Sequence, residues 1–150
     1  MKNIPLIAAL LAGLTLSAPF PLAMAHDDAT LDAQTAPHGG QLRMAGPYHF
    51  ELVVAKDNPE AKDHPVAVYV TDHAGTQIPT AGASGTATLL VGQQKTRVTL
   101  TPNGGNALKG MGHYASSPGL KAIVSITLAG KTTEQARFTP MQIEPPHAGH

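Results

Sequence analysis

Apolar and polar residues alternate with a period of two along several short stretches of the chain. In the run 48–54, Phe50 and Leu52 fall on one face of an extended chain, while His49 and Glu51 fall on the other. Such alternation in residues rich in Val, Tyr, Phe and Thr predicts half-buried β-strands. On this basis we predict further strands over the runs 66–71, 86–91, 95–100, 107–115, 121–128 and 132–138.

Turn signals separate these runs. Asp72 and Gly75 bracket a four-residue β-turn signature, and Pro, Asn and Gly cluster over 102–106. About seven strands spaced by about 8–12 residues, without an amphipathic helix, are typical of a β-sandwich. We therefore expect an all-β fold, a single immunoglobulin-like or fibronectin-like sandwich. The Cys and Trp hallmarks of antibody domains are absent, so this is a likeness of architecture only.

The ends of the chain differ from its middle. Residues 1–25 read as a signal peptide, with Lys2, a short apolar run over 4–16 and a small-x-small cleavage motif over 23–25. The apolar run is too short for a membrane anchor. We predict a mature chain that starts at His26, a flexible arm over 26–36, the sandwich domain over 37–139 and a Pro/His-rich tail over 140–150.

Composition limits the functions that fit. The chain has ten Lys and Arg against ten Asp and Glu, so it offers no electrostatic case for binding nucleic acid. It has no cysteine, which excludes thiolate metal sites and cysteine nucleophiles. It has eight histidines, and histidine is the commonest metal ligand. The nucleophile elbow, the Walker loop, the dinucleotide fingerprint and the His-Glu-x-x-His motif are all missing, so we do not expect an enzyme.

Metal chemistry concentrates between residues 37 and 75. His49 and Glu51 are about 6.6–7 Å apart along one strand face, which we expect to point outward. His38 lies in the loop before this strand, and His73 lies in the turn after the next strand. These side chains can therefore meet His49 and Glu51 at one edge of the sandwich. We expect the carboxylates either to complete the shell or to orient an imidazole. The candidate metal ligands are His38, His49, His73, Glu51 and Asp72.

Plainer explanations exist for the same residues. A single histidine is more often a solvated surface residue, and turn chemistry alone accounts for Asp72 and Gly75. No short His-x-His pair is present, so the spacing is less specific than a zinc-finger signature. Imidazole and carboxylate ligands suit zinc or copper(II). Copper(I) prefers soft ligands, and Met44, Met111 and Met141 are dispersed. Met44 lies near the candidate cluster, however, so copper(I) stays an open alternative.

Several motifs carry a family resemblance that covers the chain from Pro37 to about Phe138. These are PHGGQL, YHFELVV and VAVYVTDHAG, followed by GTATLLVGQQKTRVTLTP and GNALKGMG. They resemble small secreted proteins of Gram-negative bacteria that accompany heavy-metal efflux genes. The first part is also similar to the His-Gly-Gly region of periplasmic adaptors in metal-exporting pumps.

The resemblance implies a periplasmic β-sandwich linked to metal tolerance, with His38, His49 and His73 as the residues carried over. It also implies an efflux system as partner, although the chain lacks the hairpin, lipoyl-like and barrel parts of a full adaptor. The first hypothesis is therefore a periplasmic protein that buffers or delivers zinc or copper. The alternative is an immunoglobulin-like interaction module that binds a protein partner without metal. The sequence leaves the oligomeric state open.

Overall fold

The computed structural model describes residues 28–142, which form one short helix and eight antiparallel strands. This confirms the predicted all-β fold. The helix is α1 (Asp28–Asp32). The strands are β1 (Gln41–Ala45), β2 (Tyr48–Val54), β3 (Lys62–Asp72), β4 (Ser84–Val91), β5 (Gln94–Pro102), β6 (Ala107–Tyr114), β7 (Lys121–Thr127) and β8 (Thr133–Phe138).

Hydrogen bonds link all eight strands in the order β1-β2-β3-β6-β5-β4-β7-β8. Since β5 and β6 pair at only two positions, we refer to the half β1-β2-β3-β6 as sheet 1 and to the half β5-β4-β7-β8 as sheet 2. A short pairing of β5 with β6, through Thr101 and Lys109 and through Pro102 and Leu108, joins the two sheets at one end. At the other side β1 and β8 come together, where the side-chain oxygen of Gln41 accepts a hydrogen bond of 2.8 Å from the backbone N–H of Thr139.

The core lies between the inner faces of the two sheets. Phe50 and Leu52 of β2 and Val124 of β7 are completely buried there, as the alternating pattern predicts. Each such side chain stabilises the fold by about 1.5–3 kcal/mol through removal of apolar surface from water. The hydrophobic effect therefore fixes which face of each strand points outward, because a shift by one residue would expose the whole apolar set.

Eight strands are present instead of about seven, because β1 precedes the first predicted strand and forms a hairpin with it through a tight turn. Gly46 has a φ of 57°, and the ring of the following Pro47 fixes the φ of that proline at about −65°. This combination is typical of a type II′ turn, which suits the twist of a two-residue β-hairpin. The turn pairs Met44 of β1 with His49 of β2.

Strand β3 begins three residues before the predicted loop ends. The sequence places the run 56–65 in a polar loop, yet Lys62, His64 and Pro65 belong to β3 and pair with β6. The pairing of β2 with β3 ends at Val66, so Pro65 has a neighbouring strand on one side only. A proline is tolerated at such a local edge because it lacks the N–H that a second neighbour would require.

Helix α1 lies within the segment that the sequence predicts as a flexible arm. Leu31 is only 1% exposed. Asp32 forms a two-pronged ion pair with Arg43 of β1, at 2.6 Å to Nη1 and 3.3 Å to Nη2. The polar composition of the segment hides this single apolar anchor. The flexibility of the arm stays a prediction, and residues 1–27 and 143–150 of the predicted signal peptide, arm and tail lie outside the described residues.

Candidate metal site

The candidate site lies on the outer face of sheet 1, around the two polar side chains of β2. His49 is 6% exposed and Glu51 is 3% exposed, so both are buried. They lie on the outward face, opposite the core, as expected, but Pro37 and His38 of the preceding loop and His73 of the following turn line the same pocket. Alternation along a strand predicts the face of a side chain, but it does not predict that a loop covers this face.

The carboxylate of Glu51 binds the loop that precedes β1. One oxygen accepts the backbone N–H groups of His38 at 2.8 Å and of Gly40 at 3.1 Å. The other oxygen lies 2.8 Å from Nδ1 of the His38 ring. A buried carboxylate needs such partners to offset its desolvation. Glu51 therefore serves as the anchor that holds His38 over the sheet.

The glycines after His38 allow this anchoring. Gly39 has a φ of 71°, a left-handed conformation that costs glycine little. A Cβ atom at Gly40 would overlap the backbone carbonyl of Leu52, so only glycine lets the loop approach β2 this closely. The local sequence His-Gly-Gly thus has a structural purpose: it lets two backbone N–H groups and one imidazole converge on a single carboxylate.

The His38 ring is also held from below. It stacks on Tyr69 of β3 with a centroid separation of 3.5 Å and an interplanar angle of 2°. Tyr69 pairs with Glu51 in the β2–β3 register, so the two residues that hold His38 are neighbours on one face. Sequence reasoning missed Tyr69, although the alternation of β3 already placed it opposite Val68 and Val70. That alternation was the signal that could have found it.

The position of its proton decides what His38 can bind. An ionised carboxylate only accepts hydrogen bonds, so Nδ1 of the neutral ring carries the proton toward Glu51. Nε2 then carries the lone pair, and it makes no hydrogen bond with any residue between 28 and 142. The side chain is 36% exposed, so Nε2 is within reach of a solute. Histidines that bind metal commonly have this carboxylate–imidazole arrangement.

His49 and His73 form a second pair beside the first. Their rings stack with a centroid separation of 4.9 Å and an interplanar angle of 22°. His73 lies in the exposed turn after β3, and its Nε2 is 3.2 Å from the carbonyl oxygen of Gly46 in the β1–β2 turn. The hairpin turn and the turn after β3 therefore meet at this end of the sheet, with buried His49 beneath them.

Asp72 is not brought into the site. Its Oδ1 accepts the backbone N–H groups of Ala74 at 2.9 Å and Thr76 at 2.8 Å, and the N–H of Gly75 bonds to its carbonyl oxygen. The hydrogen bond from Thr76 lowers the pKa of Asp72 below its usual value. The carboxylate thus stabilises the turn as an ion, and it does not line the pocket.

One pocket of about 260 Å³ is lined by four of the five predicted ligands: His38, His49, Glu51 and His73. They stand as two couples, His38 with Glu51 and His49 with His73. Within residues 28–142 no three His, Asp or Glu side chains are placed so that they could hold a metal ion together. The donor types fit zinc or copper(II), but stacked rings do not aim their lone pairs at a common point.

Known proteins do not narrow these possibilities. Comparison with family models finds no match. Curated proteins give no match either. Among the described residues, no helix has the length and apolar character needed to cross a membrane.

The other histidines lie elsewhere. His113 on the outer face of β6 has its Nδ1 3.0 Å from Asp63. His64 points toward the inner side, edge-on to Tyr114 at 5.3 Å, and its buried Nε2 has no hydrogen-bond partner in the described part of the chain. His26, His147 and His150 lie outside the described residues.

Proposed function

We propose that the protein is exported to the periplasm and binds a transition-metal ion, zinc or copper(II), in the pocket between His38, His49 and His73. It would buffer the ion or deliver it within a metal efflux or tolerance system. The observation that carries the proposal is the convergence of four chemically suitable side chains on one pocket, from a loop, a strand and a turn that are distant in sequence.

Of the three proposed ligands, His38 is the one whose ring is already oriented by its neighbours. The bond from Nδ1 to Glu51 and the stacking on Tyr69 fix the tautomer and the orientation of the ring. A carboxylate behind an imidazole also raises the basicity of the ligand nitrogen. Glu51 therefore acts behind His38 and does not itself contact the ion.

His73 is the ligand that has to move. Its side chain is exposed, and Nε2 of its ring lies 3.2 Å from the carbonyl oxygen of Gly46. Rotation of this side chain would unstack it from His49 and turn its nitrogen toward the pocket. Because part of the binding free energy is used for this rearrangement, we expect modest affinity, which suits a protein that must release its ion.

Calorimetric titration of the mature protein with zinc and with copper(II) tests the proposal. His38→Ala and His73→Ala should each raise the Kd at least about tenfold, equivalent to about 1.4 kcal/mol. His113→Ala removes an exposed histidine outside the pocket and is the matched control, which should leave the Kd unchanged. Absence of saturable binding by the wild type, or equal effects of all three substitutions, would refute the metal site.

The alternative function, an interaction module that binds a protein partner without metal, has one specific observation in its favour. Glu51 already has three hydrogen-bond donors from His38 and Gly40, so this part of the pocket is complete without an ion. If the titrations show no binding while the domain is folded, this second function takes the place of the first.

A further inference from the structure

The two sheets differ in charge. Strands β4, β5, β7 and β8 and the turns that link them in pairs contain five Lys and Arg residues and a single carboxylate, Glu134. Glu134 does not share the outer face of sheet 2, because its carboxylate lies against Gly46 at the β1–β2 turn. Most other carboxylates of the described chain lie on the side of sheet 1. A protein that is neutral overall therefore has a strongly basic face.

The strand register places four of the basic side chains around two apolar ones. Across the sheet, Arg97 of β5 neighbours Thr88, which neighbours Ile123, which neighbours Arg137 of β8. In the next row Lys95, Leu90 and Lys121 lie side by side. We call the surface formed by Lys95, Arg97, Lys121, Arg137, Leu90 and Ile123 the basic face.

None of the four cations of the basic face forms an ion pair with a carboxylate of residues 28–142. Two of the three basic residues on the strands of sheet 1 do have carboxylate partners: Arg43 pairs with Asp32, and Lys62 pairs with Glu60 at 2.9 Å. Like charges that are close together on one face of a sheet repel one another. Lys121 and Arg137 are diagonal neighbours on β7 and β8, and Lys95 lies two residues from Arg97 on β5. Four unneutralised cations on one face therefore point to a role other than stability.

The apolar centre of the basic face indicates the kind of partner. Ile123 is 37% exposed, and it is one of two large apolar side chains exposed within the described chain. Leu90 lies diagonally next to it and is half-buried. An apolar centre with a charged rim is the usual composition of a protein-binding surface.

The shape of the surface also bears on the partner. The basic face is the floor of an open groove of about 860 Å³, and Arg43 and Asp28 form part of its wall. Asp28 lies 3.7 Å from Nε of Arg43, so the carboxylate in the groove is already paired. A groove fits a protruding polypeptide segment better than a flat bilayer. The one aromatic residue that lines it, Phe138, is only 2% exposed and so is not available to insert among lipids.

From this geometry we infer that the basic face docks an acidic segment of another protein, one that combines carboxylates with an apolar side chain. The carboxylates contact Arg97 and Arg137 through the planar guanidinium groups, which suit bidentate pairing. The apolar side chain covers Ile123 and Leu90. This inference does not depend on the metal site, which lies on the other sheet.

Fluorescence anisotropy with labelled synthetic peptides tests the inference. The probes are a peptide of alternating Glu and Leu, one of alternating Glu and Ser, and one of alternating Lys and Leu. The folded full-length mature protein should bind the Glu/Leu peptide most tightly, and binding should weaken with added salt because exposed charges are screened. The double variant R97Q/R137Q should raise the Kd about fivefold or more, and Ile123→Ser should reduce the preference for Leu over Ser in the peptide.

A matched double variant controls for net charge. K109Q/K131Q removes the same charge from Lys109 on sheet 1 and Lys131 in the β7–β8 turn, and it should leave the Kd within about twofold. If both double variants lost peptide binding equally, net charge alone would explain the loss, and the inference would be overturned. Binding of phosphatidylglycerol vesicles, but not of the Glu/Leu peptide, through Arg97 and Arg137 would overturn it in favour of a membrane surface.

Discussion

Replacement of Glu51 is the most informative perturbation of this molecule, because one buried carboxylate links the fold to the site. Glu51→Ala removes the acceptor of three hydrogen bonds, which come from the His38 N–H, the Gly40 N–H and the His38 ring. Two of these donors are backbone groups. Without Glu51 they would have to find water in a pocket that the loop covers.

The magnitude follows from the character of these bonds. A hydrogen bond to a charged group contributes a net of about 1.5–3 kcal/mol, and an orphaned buried donor costs about 1–3 kcal/mol. The summed contribution of three such bonds is an upper limit on the loss of stability. The actual loss should be smaller, because the His38 side chain is 36% exposed and water can replace part of its hydrogen bonding. We expect Glu51→Ala to lower the free energy of unfolding by about 3–5 kcal/mol.

Glu51→Gln separates stability from ligand chemistry. The amide oxygen can still accept the two backbone N–H groups, so this variant should lose only about 1–2 kcal/mol. Its NH2 group, however, faces Nδ1 of His38 and requires that atom to be an acceptor. The ring proton should therefore move to Nε2, which removes the lone pair from the nitrogen that we assign to the metal.

Urea denaturation measures the stability of these variants, and nitrogen NMR of the His38 ring reports its tautomer. Glu60→Gln breaks an exposed pair with Lys62 and is the control, with an expected change within about 0.5 kcal/mol. If Glu51→Ala were no more damaging than Glu60→Gln, the carboxylate would not hold the loop. If Glu51→Gln left the tautomer of His38 unchanged, the orientation argument would fail.

Further predictions concern the core, titration and processing. Phe50→Asp should abolish cooperative unfolding in circular dichroism, because an unpaired charge would enter a fully buried site; a folded variant would contradict the core assignment. His64→Phe should raise stability by about 1 kcal/mol in urea denaturation, because it removes a buried nitrogen without a partner and keeps the edge contact with Tyr114; a loss would show that the nitrogen is needed. Burial raises the pKa of Tyr114, so the unfolded chain releases this proton first and stability should fall as pH rises above about 10. Tyr114→Phe should remove this alkaline loss, and an unchanged pH profile would argue against it. Mass spectrometry of periplasmic extract should find a chain that begins at His26, and retention of residues 1–25 would refute export with cleavage.

The fold was largely predictable from sequence, because burial of one face imposes a period of two on several strands. In β5 and β7 the predicted apolar face is the buried one. In β2 the predicted apolar face is also buried, but His49 and Glu51 on its other face are buried as well. The extra strand and the early start of β3 were missed for local reasons. A two-residue turn at Gly46 leaves almost no gap in the β pattern, and Pro65 looks like a strand breaker until the local edge is known.

The site was predictable only in part. The face of His49 and Glu51 followed from alternation, and the convergence of His38 and His73 on them followed from the order of strands. The burial of Glu51 and its bonds to the loop depend on packing between segments, which no local pattern encodes. Asp72 lies outside the pocket, and turn chemistry accounts for its presence, because its Oδ1 accepts two backbone N–H groups of the turn.

Nitrogen NMR of the imidazole rings during a zinc titration tests the central claim most directly. We predict that the NMR signals of Nε2 of His38 and of the ring nitrogens of His49 and His73 shift together with one saturation curve, while those of His113 stay unchanged. We also predict that binding weakens as the pH falls, because imidazole binds metal only when it is neutral. Shifts confined to histidines outside the pocket, or no saturable shift of His38, would contradict the claim.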